Sequence, residues 1–316
     1  MNKNPFSIYD FLGYLFPGAF ALIVVKFLVY TDNPFCPYCF LESIRDLAQS
    51  NDKLTDTVFF ILLSYILGHA IAFASTLTVE QFANWRYGYP SSFILGISTQ
   101  YLQKPIYPAN TSLWGKAKVF MLYYLARSLV ALSVWPICLF SIIIGQWLNV
   151  RKFYIKETDE YTKKEIIKRI QRLAKKLGIE DISEDMINEK QLNYHRFITF
   201  YEYEKSERHG VKMDNYVALY DFMRSVTMVL VFYTWYVAIM LVFFWGIDVV
   251  SMLYVIGAAL STYFFFMAYM KFYRRYTEES FYTLVADGDF KDSVAGEINY
   301  QNQDQENNNL ENNGQQ

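Results

Sequence analysis

The chain has 316 residues, 53% of them hydrophobic and 19% aromatic, with 27 Tyr, 27 Phe and a formal net charge of −2. That charge balance argues against nucleic acid or any other polyanionic partner. Three cysteines over this length exclude a disulfide-stapled secreted scaffold.

Five apolar runs are long and poor in charge: Phe11–Tyr30, Val58–Leu77, Leu129–Trp147, Val226–Trp245 and Val249–Met270. Each approaches the ~20 residues that a helix needs to cross the hydrocarbon layer. The expected fold is therefore all-α, a polytopic membrane protein with about five transmembrane helices. The expected division is an N-terminal membrane region over 1–150 and a cytoplasmic helical domain over 151–221. A transmembrane hairpin over 222–275 and a C-terminal segment over 276–316 follow.

One Lys precedes the first run and no small-x-small cleavage site follows it, so no cleavable signal is expected. Pro17 should kink this helix, as bundled membrane helices tolerate. Lys26 should snorkel from the far end of the span. A polar loop over 32–56 follows and contains the sharpest local motif, Cys36-Pro37-Tyr38-Cys39.

This tetrapeptide resembles the active site of glutaredoxins. The resemblance covers four residues and implies a dithiol whose first cysteine has a depressed pKa. The βαβ context of a thioredoxin-like fold is absent, since a span precedes the motif. A zinc site would need more ligands than the chain offers nearby, because Cys138 and His69 both fall within apolar runs. Two unremarkable loop cysteines are the expectation, with Cys36 and Cys39 as catalytic residues the alternative. No cofactor and no metal are expected.

His69 lies within the second run beside Gly68. An ionisable residue at such a depth is a functional-site candidate, while Gly68, Ala70 and Ala72 suggest plain helix packing. The stretch 88–118 is rich in Pro and Gly and should form a loop with at most one short helix. Residues 118–149 are too long for one perpendicular crossing. Lys118–Ala126 is expected to be interfacial and Leu129–Leu148 to be the span, with Arg127 snorkelling to the headgroups.

The soluble region reads as helices. Thr162 and Glu165 have capping-box spacing, Ile166, Ile170, Leu173 and Leu177 form a stripe, and Gly178 closes the helix. A second helix is expected from Ser183 to Arg208, broken by Gly210. Its Glu202, Glu204, Glu207 and His209 should be a solvated charged face rather than a metal site. Met213 through Trp245 should be one helix, since no Gly or Pro interrupts it before Gly246, with Arg224 fixing its depth at the headgroups. Beyond Asp287 the composition of Asn, Gln, Asp and Glu predicts disorder.

Basic residues cluster beside the third, fourth and fifth runs, at Arg151, Lys152, Lys205, Arg208, Lys212, Arg224, Lys271, Arg274 and Arg275. With five spans the positive-inside rule puts the N-terminus outside and the helical domain and tail in the cytoplasm. Asn- and Lys-rich composition points to a bacterial inner membrane. There is no Walker loop, GxGxxG, HExxH or GxSxG, so the chain gives no reason to expect an enzyme.

The preferred function is a non-enzymatic sensor, effector or scaffold, in bacterial stress or phage defence. Its helical arm would bind a cytoplasmic protein or small ligand, and Arg224 and Arg127 would act at the coupling interface. Beyond the lipid bilayer, a second copy of the chain is a candidate partner. The alternatives are a thiol-disulfide oxidoreductase using Cys36 and Cys39, and a small transporter or channel involving His69.

Overall fold

A computed structural model describes residues 8–30, 54–97, 107, 112–150, 154–176, 178, 194–205, 207–245 and 248–286. Among these every regular element is helical. Four helices are long and apolar enough to cross a membrane, or up to five if one sharply bent pair counts as a span. The protein is thus a multi-pass membrane protein by length and composition. Cys36 and Cys39 lie outside the described residues, as do the 287–316 tail and residues 183–193.

The chain divides into two compact units. The larger comprises Met1–Glu157 and Val211–Tyr276, the smaller Thr158–Gly210 and Thr277–Gln316.

In the larger unit, α1 joins Ile8–Asp10, a wide π-helical turn over Phe11–Leu15, and Phe16–Tyr30. Pro17 has no N–H to donate, and the widened turn immediately before it absorbs that break. Helix α2 runs Leu54–Ser75, widens over Thr76–Glu80 and continues as α3, Gln81–Tyr87. Where α1 and α2 meet, a Cβ on Gly18 would clash with the Ser64 carbonyl, and one on Gly68 would clash with the Tyr14 carbonyl. Only glycine permits this backbone-to-backbone approach. Small residues around position 68 were expected to serve packing, and Gly68 does so.

A short helix, α4, spans Pro90–Ile94, and α5 spans Leu113–Ser133, with the Ser112 hydroxyl accepting from the Gly115 N–H at 3.2 Å. The expected interfacial piece from Lys118 and span from Leu129 are not how the segment divides. Helix α5 runs across the expected boundary from Leu113 to Ser133, and the break falls at Val134. There the chain turns by 91° into α6, Trp135–Phe140 with a π-helical extension Ser141–Trp147. Pro136 at the start of α6 explains the break, since it cannot supply the N–H that would continue α5.

Helix α9 runs Glu207–Met240 and closes in a π-helical turn, Leu241–Trp245, so Met213 through Trp245 is uninterrupted helix as expected. Helix α10 follows as Val249–Ala286, longer at its C-terminal end than the apolar run suggested. Asp248 caps it by accepting from the Val250 and Ser251 N–H groups at 3.2 and 3.4 Å. Ser251 and the backbone hold its carboxyl below the usual range.

In the smaller unit α7 spans Glu160–Lys176 and buries Ile166, Ile170 and Leu173, as the stripe predicted. Gly178 adopts φ 71°, the left-handed conformation of a helix stop. The cap is not Thr162, however. Asp159 takes the Thr162 N–H and hydroxyl, both at 2.8 Å, and starts the helix one turn earlier. Those bonds lower the Asp159 pKa. Helix α8 spans Tyr194–Lys205. Gly210 does not break it, but lies inside α9.

Candidate functional site

The larger unit carries a buried charge cluster built from the polar ends of separate apolar runs. Arg224 lies two residues before the run that starts at Val226, and Glu80 lies three residues after the run that ends at Leu77. Tyr9 precedes the run from Phe11. Each sits where its helix leaves apolar sequence, and the fold brings all three to one end.

Arg224 is at the centre. Its Nε donates to Ser75 Oγ at 3.1 Å, its Nη1 pairs with Glu80, and its Nη2 pairs with Asp221 at 2.8 Å. Arg224 and Asp221 are one turn apart on α9, at 9% and 6% exposure. The other oxygen of Asp221 accepts from the Tyr9 hydroxyl at 2.8 Å, and the Tyr9 and Tyr14 hydroxyls are 3.2 Å apart. Burial, reinforced by Tyr14 and Asp221, pushes the Tyr9 hydroxyl well above its ordinary pKa, so it remains a protonated donor. Two carboxylates face one guanidinium, which leaves the cluster one negative charge in excess if both are ionised.

Position 75 is a serine whose hydroxyl also donates to the Ala72 carbonyl, at 2.7 Å. The widened turn Thr76–Glu80 then swings Glu80 round to Arg224. Helix α10 reaches the same end through aromatic rings. Tyr220 lies 5.1 Å from Tyr273 and 5.8 Å from Tyr276, ring centroid to centroid.

A cleft of about 250 Å³ opens beside the cluster, lined among others by Tyr9, Tyr14, His69, Phe73, Asp221 and Arg224. His69 stacks on Tyr14 at 3.8 Å, and the edge of Tyr65 closes the pair. His69 itself is exposed. It falls on one outward stripe of α2 with Phe59, Leu62, Ile66, Phe73 and Leu77, all exposed and spaced three or four apart.

Arg127 is not in this cluster. It donates to the Tyr123 hydroxyl at 3.0 Å and towards the Trp85 carbonyl at 3.5 Å, with its guanidinium 5.3 Å from the Trp85 ring centre. A second polar knot joins three tyrosines. The Tyr154 hydroxyl is 3.3 Å from both Tyr87 and Tyr263, and Tyr87 also pairs with Ser141. Burial raises the Tyr154 pKa far beyond physiological pH.

Of the residues singled out from sequence, the structure brings His69 and Arg224 to one cleft and places Arg127 elsewhere. Glu202, Glu204, Glu207 and His209 lie on helices whose side chains at those positions are outside the described residues. No group of three metal-ligating side chains is found among the described residues. Sequence reasoning missed Tyr9, Glu80 and Asp221, although each closes an apolar run at the same end. No family model matches the chain, and neither the curated proteins nor the solved structures contain a match to it.

Proposed function

We propose that this is a non-enzymatic membrane sensor or effector, in which the Arg224 cluster latches α9 to the first two membrane helices. One observation carries the reading: α9 is unbroken helix from Glu207 to Trp245, and its buried Arg224 pairs with Glu80 at the end of the second membrane helix. Residues 158–210 belong to the smaller unit, and α9 begins among them. A ligand or protein bound there that favours one placement of α9 shifts the latch, to the extent of its differential affinity.

The topology that fits this reading has four crossings, formed by α1, α2, α9 and α10. Tyr9, Glu80 and Arg224 meet at one end, so the chain from Glu80 to Arg224 returns to the level it left. Segment α5–α6 is then re-entrant or interfacial and does not cross. Lys116, Lys118, Lys271, Arg274 and Arg275 belong to the segments assigned to that end, which favours a cytoplasmic side by the positive-inside rule. In this topology the first helix starts in the cytoplasm. A bacterial inner membrane, with a role in stress or phage defence, is the setting proposed.

The test is hydrogen exchange on the full chain in nanodiscs. Glu80→Gln should speed exchange at 213–225 and also at 160–176. Faster exchange at 213–225 alone sinks the coupling. A second reading, a small transporter with His69 in its path, gains one observation, since His69 lines the cleft with Asp221. Proton flux in liposomes that is lost in His69→Gln favours it.

A further inference from the structure

We propose that the cleft between Tyr9, His69, Phe73 and Asp221 binds the ammonium group of a bilayer lipid headgroup. Three features converge on that chemistry. The first is charge. Arg224 is shared by Glu80 and Asp221, so with both carboxylates ionised a cation of a single charge completes the cluster. Asp221 has one partner on each oxygen, Arg224 and Tyr9, and a carboxylate accepts about four hydrogen bonds, so it retains capacity for an N–H donor.

The second feature is the wall. Tyr9, Tyr14, His69 and Phe73 line the same cleft as the Asp221 carboxylate, with Tyr9 bonded to it directly. An aromatic wall beside a carboxylate favours an organic ammonium over a small hydrated metal ion, because ring faces attract cations that shed water easily. A phosphate or carboxylate ligand is disfavoured, since three donors of Arg224 are already engaged and the Asp221 carboxylate lines the cleft.

The third feature is access. His69 and Phe73 stand on the outward stripe of α2, which continues along Ile66, Leu62 and Phe59. An acyl chain laid along that stripe places its headgroup at the cleft. Because the cluster stands where apolar sequence ends, the cleft lies at headgroup depth and not in the hydrocarbon centre. The ligand therefore arrives from the bilayer. This inference deepens the latch reading, because an occupied cleft neutralises the cluster and holds it closed.

The experiment is native mass spectrometry of the full chain in mild detergent. Phosphatidylethanolamine, phosphatidylcholine and phosphatidylglycerol are added in turn at equal concentration. Both ammonium lipids should be retained about tenfold better than phosphatidylglycerol. Phe73→Lys puts a cation at the exposed mouth of the cleft without touching the core, and should abolish that preference. Asp221→Asn should do the same. Equal retention of the three lipids overturns the proposal, as does unchanged phosphatidylethanolamine retention in Phe73→Lys. Displacement by glycerophosphoethanolamine, which has the headgroup but no tails, overturns the bilayer source. Retention is read independently of hydrogen exchange at 160–176, so lipid binding and coupling can fail separately.

Discussion

Tyr87 and Tyr154 touch, with hydroxyls 3.3 Å apart and 66 residues of chain between them. Whatever path the intervening segment takes, it leaves and returns at one depth. That return fits the four-crossing topology proposed above, in which the segment between Tyr87 and Tyr154 does not cross.

That relationship sets the first prediction. A reporter placed before Tyr9 should read cytoplasmic, as should reporters after Lys205 and after Ala286. A reporter within the 31–53 connection should read the opposite side. The sequence-based expectation of five spans puts the first reporter outside, so the position before Tyr9 distinguishes the two topologies.

Removing the central cation should be costly. Arg224→Met leaves Glu80 and Asp221 facing each other in a partly buried site, with an expected loss of about 3 kcal/mol. Thermal unfolding in detergent measures it. The triple change Arg224→Met, Glu80→Gln, Asp221→Asn removes both the charges and their mismatch. It should recover most of the loss, whereas a purely steric role for Arg224 predicts no recovery.

The glycine seam gives a second stability test. Gly68→Ala forces a methyl group against the Tyr14 carbonyl and should lower stability by about 2 kcal/mol. Ala70→Gly on the same helix is a control for helix propensity, with an expected loss of about 1 kcal/mol or less. If the two variants unfold alike, the close approach of α1 and α2 is not what Gly68 provides.

His195 should make the smaller unit sensitive to acid. Its ring packs edge-on against Phe281 at 5.7 Å, and burial lowers its pKa to about 4 from the ordinary 6.5. The unfolded chain takes up the proton first as pH falls. Stability is therefore full above pH 6.5 and declines progressively towards pH 4. Hydrogen exchange over 160–176, corrected for the intrinsic pH effect, should show that loss. His195→Gln should flatten this part of the profile.

The sequence disclosed what short-range patterning governs. Ile166, Ile170 and Leu173 repeat at helical spacing and are buried, and Gly178 stops its helix because only a residue at ease with positive φ fits there. Arg224 beside an apolar run marked a membrane boundary. The cluster itself was hidden, because Tyr9, Glu80 and Asp221 are separated by 71 residues or more and nothing local couples them. The 91° turn at Val134 was only half legible. Pro136 signals an interruption, but the direction of the chain after it depends on Trp235, whose indole N–H donates to the Ser133 carbonyl at 2.8 Å. The Asp159 cap lost to Thr162 in the reading for a simpler reason: two polar residues one turn apart both satisfy the capping pattern.

The seam at Gly18 and Gly68 has a mechanical consequence. Side-chain interfaces yield by changing rotamers, but a glycine pressed on a carbonyl has no rotamer to change, so this contact behaves as a fulcrum. From Gly18 the helix extends seven residues back to Phe11 at the cluster end and twelve forward to Tyr30, roughly 10 and 18 Å at 1.5 Å per residue. A tilt that opens the Arg224 latch by one ångström swings the far end of α1 nearly twice as far, in the opposite direction. The first helix thus forms a short lever pivoting at Gly18, with its long arm, Gly18–Tyr30, at the end opposite the Arg224 cluster.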